Sequence, residues 1–549
     1  MDDLSVLVGG RAGDGINIAG MMIAWLLNAS GYRPYMYYDY PSLIRGGHNF
    51  AIVRGTPGQP RAIRMAVDIL LALNQDTIEK HRDRIHDGTA VLFNADRAKG
   101  PGEGVPVGDI LKRHDAPVVM ENSCLIGAFA KSAGMPPELV RSVFERHIPK
   151  YVEKNVEVAL DGYDSVGTSH NLATSSSRPL PVVSGNEAAG LGFLCGGLDA
   201  YVAYPMTPSS SLLHFLAEYG PPAGVTVVHP ENEIAVMLMA AGFAYAGRKV
   251  AVGTSGGGFC LMTEGLSLAG MAELPVVIVM SQRTGPSTGL PTYSAQSDLH
   301  FILHAGHGEF PRFICAPADA TETMSWSQTA LEIAWRYQVP SFLLLDKHLS
   351  EGFFSVDLER AGKVPVKGLE TGMASPGRRY VDTPSGVSPF TFPPAAGYVI
   401  KANSYAHDES GVTTEDPSVV RLMTEKRLRK EASLEAEVRG LPAVVTGGDP
   451  AGTTVVFCFG STTGVCEEAA DHLRYRTVRP VVLEPFPLTA FHNALSGVER
   501  TICVEENVKG QLSLLLKQHG IMTDHDIRRS DGRPFEVENL IKRLEEVAP

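Results

Sequence analysis

None of the seven cysteines, at 124, 195, 260, 315, 458, 466 and 503, belongs to a C-x-x-C pair. Scattered in this way, they supply neither the clustered thiolates of an iron-sulfur centre nor the paired ligands of a zinc site. An odd count outside any disulfide framework suits a reducing compartment, and if electrons move here their carrier sits on another chain. Long apolar runs are also missing. No stretch approaches the roughly 18 residues of a membrane span, and "MDDLSVLVGG" at the start carries no basic leader region. A cytoplasmic protein without a membrane partner is therefore expected. Positive charge is in deficit, with 48 Lys and Arg against 61 Asp and Glu for a net −13. That balance favours solubility and argues against a nucleic-acid surface.

What is present is a long chain, 549 residues, 44% hydrophobic and 20% charged, which suits a multidomain globular protein with ample core. Strand-like runs ("LSVLV", "AVDILLAL", "TAVLFNA", "APVVM") alternate with helical ones up to about residue 160, the pattern of a parallel α/β layer. A Ser/Thr/Pro-rich stretch at 164–183 reads as a linker. A second α/β unit is expected over 184–350, from "VTVVH", "KVAVGTS", "PVVIVMS", "RFICA" and "PSFLLLD". Weak apolar periodicity and abundant Pro, Gly and Ser make 351–449 an extended connector ending in the charged helix "EKRLRKEASLEAEV", and 450–549 a third α/β unit. The first domain then covers 1–163.

The opening "SVLVGGRAGDGINIAG" imitates two cofactor loops. A dinucleotide fingerprint needs G-x-G-x-x-G, but from Gly13 and Gly15 the third position falls on Ile18. Gly13-Asp14-Gly15 also mimics a diphosphate-magnesium motif, whose Asn belongs well downstream rather than at Asn17 or Asn28 on the helix that follows at once. There remain a strand-to-helix turn whose N–H groups face an anion, and a tight turn that binds nothing.

Four segments of the middle unit, "GNEAAGLGFLCGGLDAYVAYPMTPSSSLLHFL", "HPENEIAVMLMAAGFAYAG", "GTSGGGFCLMTEGLSLAGMAELPVVIV" and "QRTGPSTGLPT", together resemble the α subunit of 2-oxoacid:ferredoxin oxidoreductases. Gly10 to Gly15 and "YPSLIRGGHNFAIVR" resemble that family's γ domain, with Ala12 and Asp14 departing from its usual Gly and Gln. "YAHDESGVTTED" and "EKRLRK" resemble the connector of the fused subunits, nearest the 2-oxoglutarate type, and "VEENVKGQL" their final domain. The resemblance implies three α/β domains: γ-type, thiamine pyrimidine-binding-type and transketolase C-terminal-like. It also implies a β subunit that shares thiamine diphosphate with Mg2+ and carries an iron-sulfur cluster in an α2β2 heterotetramer, with ferredoxin and CoA as reaction partners. No magnesium motif or cluster cysteines stand in this chain, so no metal site is expected on it.

The same resemblance selects residues. Glu233 matches the glutamate that hydrogen-bonds the thiamine aminopyrimidine; read alone it is a helix-start carboxylate complementing the dipole, with Glu231 as fallback. Thr207 matches a substrate threonine, although T-P-S-S also reads as a helix cap. Arg283, after a strand and before a Gly/Pro loop, is placed to grip a carboxylate bidentately. Arg45, presented by Gly46 and Gly47, is a candidate for the distal carboxylate of a dicarboxylic substrate, and His48 a weaker neighbour. Gly256 and Gly257 bring backbone amides towards the cofactor or merely permit close packing. Gly13 and Gly15 offer amides to CoA. The expected activity is CoA-dependent oxidative decarboxylation of 2-oxoglutarate to succinyl-CoA with ferredoxin reduction, or its reverse. Pyruvate or branched-chain 2-oxoacids, and a non-catalytic assembly subunit, are the alternatives.

Overall fold

In a computed structural model the described residues are 2–42, 46–172, 177–362, 364–367 and 375–548. They divide into two compact units.

The first unit comprises residues 1–184, 351–357 and 535–545. Its eight-stranded sheet places Leu4–Arg11 between Ile69–Ala72, which runs parallel to it, and His48–Thr56, which runs antiparallel. The expected parallel layer is thus only half of the sheet. Arg33–Asp39 and His48–Thr56 form an antiparallel pair that the glycine-rich motif between them had obscured. "APVVM" is not a strand: Val118–Met120 is a single 3-10 turn with Val118 and Val119 exposed. The helix Ile16–Ala29 is apolar nearly all round because both faces are covered beyond its first turn, where Ile18 is exposed, and Leu26 and Leu27 are fully buried. Each such leucine contributes about 1.5–3 kcal/mol of burial. At Gly20 the helix lies against the sheet so closely that a Cβ would stand 2.8 Å from the Met36 methyl.

The second unit holds two sheets. One has seven strands, in the order Val482–Glu484, Phe313–Cys315, Ser341–Asp346, Val276–Gln282, Val250–Thr254, Ala200–Ala203, Thr226–Val228. All run parallel except the first, which pairs antiparallel with Phe313–Cys315. That edge strand comes from "RPVVLEP", whose earlier half, within Arg476–Pro480, stays in the third sheet. The run is therefore two strands in two sheets rather than one. The third sheet orders Val444–Gly448, Arg476–Pro480, Thr454–Phe457, Arg500–Glu505 and His525–Arg528.

The charged run at 425–438 lies in the helix Pro417–Val438. Two of its lysines are buried: Lys426 donates to Glu273 at 2.7 Å and Lys430 pairs with the same carboxylate. Burial pushes the Lys430 ammonium down to about 8, against the pull of Glu273. No described helix is long and apolar enough to cross a membrane.

Candidate active site

Four neighbouring parallel strands of the seven-stranded sheet carry the candidate residues beyond their carboxyl ends, where open α/β sheets bind ligands. Ala200–Ala203 leads to Thr207, Thr226–Val228 to Glu233, Val250–Thr254 to Gly256, and Val276–Gln282 to Arg283.

Glu233 is the first residue of the helix Glu233–Tyr245. The preceding Asn232 caps that helix, accepting from the Ala235 N–H at 3.0 Å, so Glu233 is released from capping. Its carboxylate is 4% exposed, and Oε1 has no hydrogen-bond partner among the described residues. A buried carboxylate oxygen left unpaired costs about 1–3 kcal/mol or more, which a ligand's N–H recovers. The carboxylate lies against Gly258 in the first turn of the helix Gly256–Met271, where a methyl group would overlap both it and the Thr254 hydroxyl. Ser255, wholly buried beside them, also has a hydroxyl without a partner among the described residues. An unpaired carboxylate oxygen and hydroxyl around a glycine edge fit an aminopyrimidine, which presents both donors and acceptors. Glu231, the fallback, is exposed.

Thr207 does not cap the next helix. Ser209 occupies that position in Ser210–Tyr219 and makes no side-chain cap bond. The Thr207 carbonyl instead accepts from Arg283 Nη1 at 2.8 Å, which fixes the guanidinium to the loop bearing the threonine. Arg283 Nε is buried without a partner among the described residues, so the guanidinium retains donor capacity for an anion.

A further residue joins this group without a sequence signal that singles it out. Asp298, in "QSDLH", looks like a cap for the helix Leu299–His304 but makes no such bond. Its backbone N–H donates to Gln282 Oε1 at 2.9 Å, and its carboxyl group faces Gly256, where a Cβ would stand 2.8 Å from Oδ2. Desolvation pushes this carboxyl up to about 6 against the opposing charge of Arg283. Gly256 therefore makes room for a carboxyl group. Gly257 has open space around it, with Ser287 O the nearest atom at 3.8 Å, and Gly258 is the tightest of the three.

The other candidates belong to the first unit. Gly13 and Gly15 have φ of 99° and 72°, which glycine adopts at little cost. The turn they frame is largely closed on itself: Asp14 Oδ2 accepts from the Arg11 N–H at 2.7 Å, and Asn122 Nδ2 donates to the Asp14 carbonyl at 2.7 Å. Gly46 and Gly47, at φ 80° and 81°, have the unusual backbone expected of them, while Arg45 lies outside the described residues. His48 shares a hydrogen bond between Nε2 atoms with His81, at 2.9 Å, in a ring cluster with Phe50.

Residues 192–426 match the family model described as pyruvate flavodoxin/ferredoxin oxidoreductase, thiamine diphosphate-binding, and residues 5–165 match that of pyruvate ferredoxin/flavodoxin oxidoreductase. The chain is 30% identical to the α subunit of 2-oxoacid:ferredoxin oxidoreductase 2 from Aeropyrum pernix, over 99% of this chain and 98% of that one. It is 36% identical to the 2-oxoglutarate synthase subunit KorA of Archaeoglobus fulgidus over a shorter region, 34% of this chain and 54% of the relative. Among solved structures, 2-oxoglutarate:ferredoxin oxidoreductase from Magnetococcus marinus, with 2-oxoglutarate, coenzyme A and succinyl-CoA bound, superposes with a TM-score of 0.89 at 26% identity, covering 100% of both chains. With the orphaned Glu233 carboxylate inside the thiamine diphosphate-binding match, the chain belongs to the α subunits of the 2-oxoacid:ferredoxin oxidoreductases.

Proposed function

We propose that this α subunit catalyses the CoA-dependent oxidative decarboxylation of 2-oxoglutarate to succinyl-CoA, passing electrons to ferredoxin, or runs the same reaction in reverse. The observation that carries the catalytic role is the buried Glu233 carboxylate with its unpaired Oε1, beyond the same carboxyl end of the sheet as the tethered Arg283. The preference for 2-oxoglutarate is supported by the KorA relative and by the ligands of the Magnetococcus enzyme.

Thiamine diphosphate, when bound, supplies the nucleophilic carbon and the electron sink for loss of carbon dioxide. Glu233, itself buried, would hold the proton shared with the aminopyrimidine ring. Arg283 grips the carboxylate next to the 2-oxo group, and the Thr207 hydroxyl donates to the substrate oxygens. Arg45 is assigned to the distal carboxylate, and the Gly13–Gly15 turn to CoA.

The diphosphate, its Mg2+ and the iron-sulfur cluster are assigned to a β subunit. The helix that begins at Glu233 supports this, because it leaves Ile234, Leu238 and Met239 between 44% and 49% exposed, an apolar stripe that a partner chain would cover. Turnover of the assembled complex should favour 2-oxoglutarate over pyruvate and branched-chain 2-oxoacids by about tenfold or more in kcat/KM. Equal rates on pyruvate would overturn the substrate assignment. Glu233→Gln should lower kcat about 10²–10⁴-fold while leaving the thermal transition intact; unchanged turnover would remove the catalytic role.

A further inference from the structure

A cavity of about 710 Å³ lies within the first unit, between the end of the helix Ile16–Ala29, the helix Pro137–His147 and the segment 178–182. That is a volume typical of ligand sites, roughly 300–1,000 Å³. It is remote from the Gly13–Gly15 turn of the same unit. Trp25 is ten residues along the helix from Gly15, which at 1.5 Å per residue is about 15 Å. One wall is a flat aromatic pair, Trp25 stacked on His147 with centroids 3.9 Å apart and planes at 12°. Arg146 and Arg178 also line it, and among the described residues no Asp or Glu does, in a chain of net charge −13. Among the described residues neither guanidinium has a hydrogen-bond or ion-pair partner.

The frame around these groups is fixed. Asn28 Nδ2 donates to the Leu180 carbonyl at 2.8 Å, the Leu180 N–H donates back to Asn28 Oδ1 at 3.1 Å, and Arg33 Nη1 donates to the Arg178 carbonyl at 2.7 Å. The backbone that carries Arg178 is thereby held, while its cation has no partner among the described residues. Burial and the neighbouring Arg146 keep the His147 imidazole below its ordinary range, so at neutral pH it presents an uncharged ring.

We propose that this cavity is a second ligand site, for a phosphate-bearing planar molecule of the adenine-nucleotide type, its base stacked on the Trp25 and His147 wall and its phosphates held by Arg146 and Arg178. Free nucleotides and the adenine end of CoA share that chemistry.

The test is calorimetry on the assembled enzyme with ADP, inorganic pyrophosphate and CoA, beside the double variant Arg146→Ala, Arg178→Ala. ADP should bind the wild type, quench tryptophan emission in a way lost in Trp25→Phe, and bind the double variant about tenfold or more weakly. Turnover of the 2-oxoacid at saturating CoA and without added nucleotide should be the same in both. A KM for CoA raised about tenfold in the double variant would identify the occupant as the adenine end of CoA, and an unchanged KM for CoA would identify a free nucleotide. ADP affinity unchanged in the double variant, no ADP binding at millimolar concentration, or pyrophosphate binding as tightly as ADP would each overturn the proposal.

Discussion

Two glycine-rich turns in this chain follow a strand and open a helix, yet they resolve their polar groups in opposite ways. At 11–15 the side chain of Asp14 takes up the Arg11 N–H and Asn122 takes up the Asp14 carbonyl, so the turn spends its hydrogen bonds on itself. At 254–258 the glycines press against carboxyl groups supplied by other segments, Glu233 and Asp298, and Glu233 Oε1 and Ser255 Oγ are buried without partners among the described residues. A glycine run alone does not distinguish the two, since both have the same strand-turn-helix form. What separates them is the kind of group left unpaired among the described residues: an amide oxygen of Asn122 at the first turn, a carboxylate oxygen and a hydroxyl at the second, and the carboxylate carries the larger cost until a hydrogen-bond donor meets it.

The sharpest way to break this contrast is to add one methyl group to each turn. Gly258→Ala inserts a Cβ into the space held by the Thr254 hydroxyl and the Glu233 carboxylate. Over-packing of that kind costs about 1–3 kcal/mol, and displacing a catalytic carboxylate by about 1 Å is expected to lower kcat about 10²-fold. Gly13→Ala meets no atom within 4 Å and pays only for a left-handed backbone at φ 99°. That strain is about 1–2 kcal/mol and should leave turnover at saturating substrate near wild type. Steady-state kinetics of the two variants, side by side, checks both halves. Equal losses would mean that the 254–258 turn has no special standing.

A smaller effect separates the two units by pH. Burial, with His48 beside it, holds the His81 imidazole down at about 3 from an ordinary 6.5. The unfolded chain takes up that proton as pH falls through 6.5 while the native unit refuses it, so the associated stability is complete above 6.5 and is lost progressively towards 3. Asp298 has the opposite sense, its carboxyl pushed up to about 6 from 3.8. Between those values the folded state binds more protons, so stability falls as pH rises, and the cost is fully present above 6. Hydrogen exchange at pH 5 should show protection around His81 lower by about tenfold than at pH 7. Around Asp298 it should be equal or higher. Asp298→Asn should remove the second trend and leave the first.

Sequence patterns carried the middle unit further than the first. "KVAVGTS" and "PVVIVMS" are apolar runs bounded by turn residues, as fully buried parallel strands require, and Glu233, Thr207 and Arg283 follow strand ends because chain order alone places them there. Tertiary context decided the rest. "RPYMYYD" pairs through both neighbours in a mixed sheet, which its own composition does not announce. "APVVM" has strand propensity but ends as a turn with Val118 and Val119 in solvent. Lys426 and Lys430 look like a solvated helix face, yet the lone carboxylate of Glu273, some 150 residues away, draws both inside. Asp298 was hidden for the same reason, since its partners Gly256 and Arg283 lie on two other loops.

The smallest expected effect tests whether the turn at 11–15 is as self-contained as its hydrogen bonds make it. Asp14→Ala removes the acceptor of the Arg11 N–H and, with it, the one acidic side chain of the turn. Loss of a charged side-chain-to-backbone bond at an exposed site costs about 1 kcal/mol, so local hydrogen exchange at residues 11–20 should rise by about fivefold with little change elsewhere. CoA gives a second and independent reading. If the turn receives a CoA phosphate, removing the carboxylate frees an amide and lifts a like-charge repulsion, and KM for CoA should fall while KM for the 2-oxoacid stays constant. If exchange rises and KM for CoA does not move, the turn stabilises only its own helix, and the two glycine-rich turns differ in function as well as in bonding.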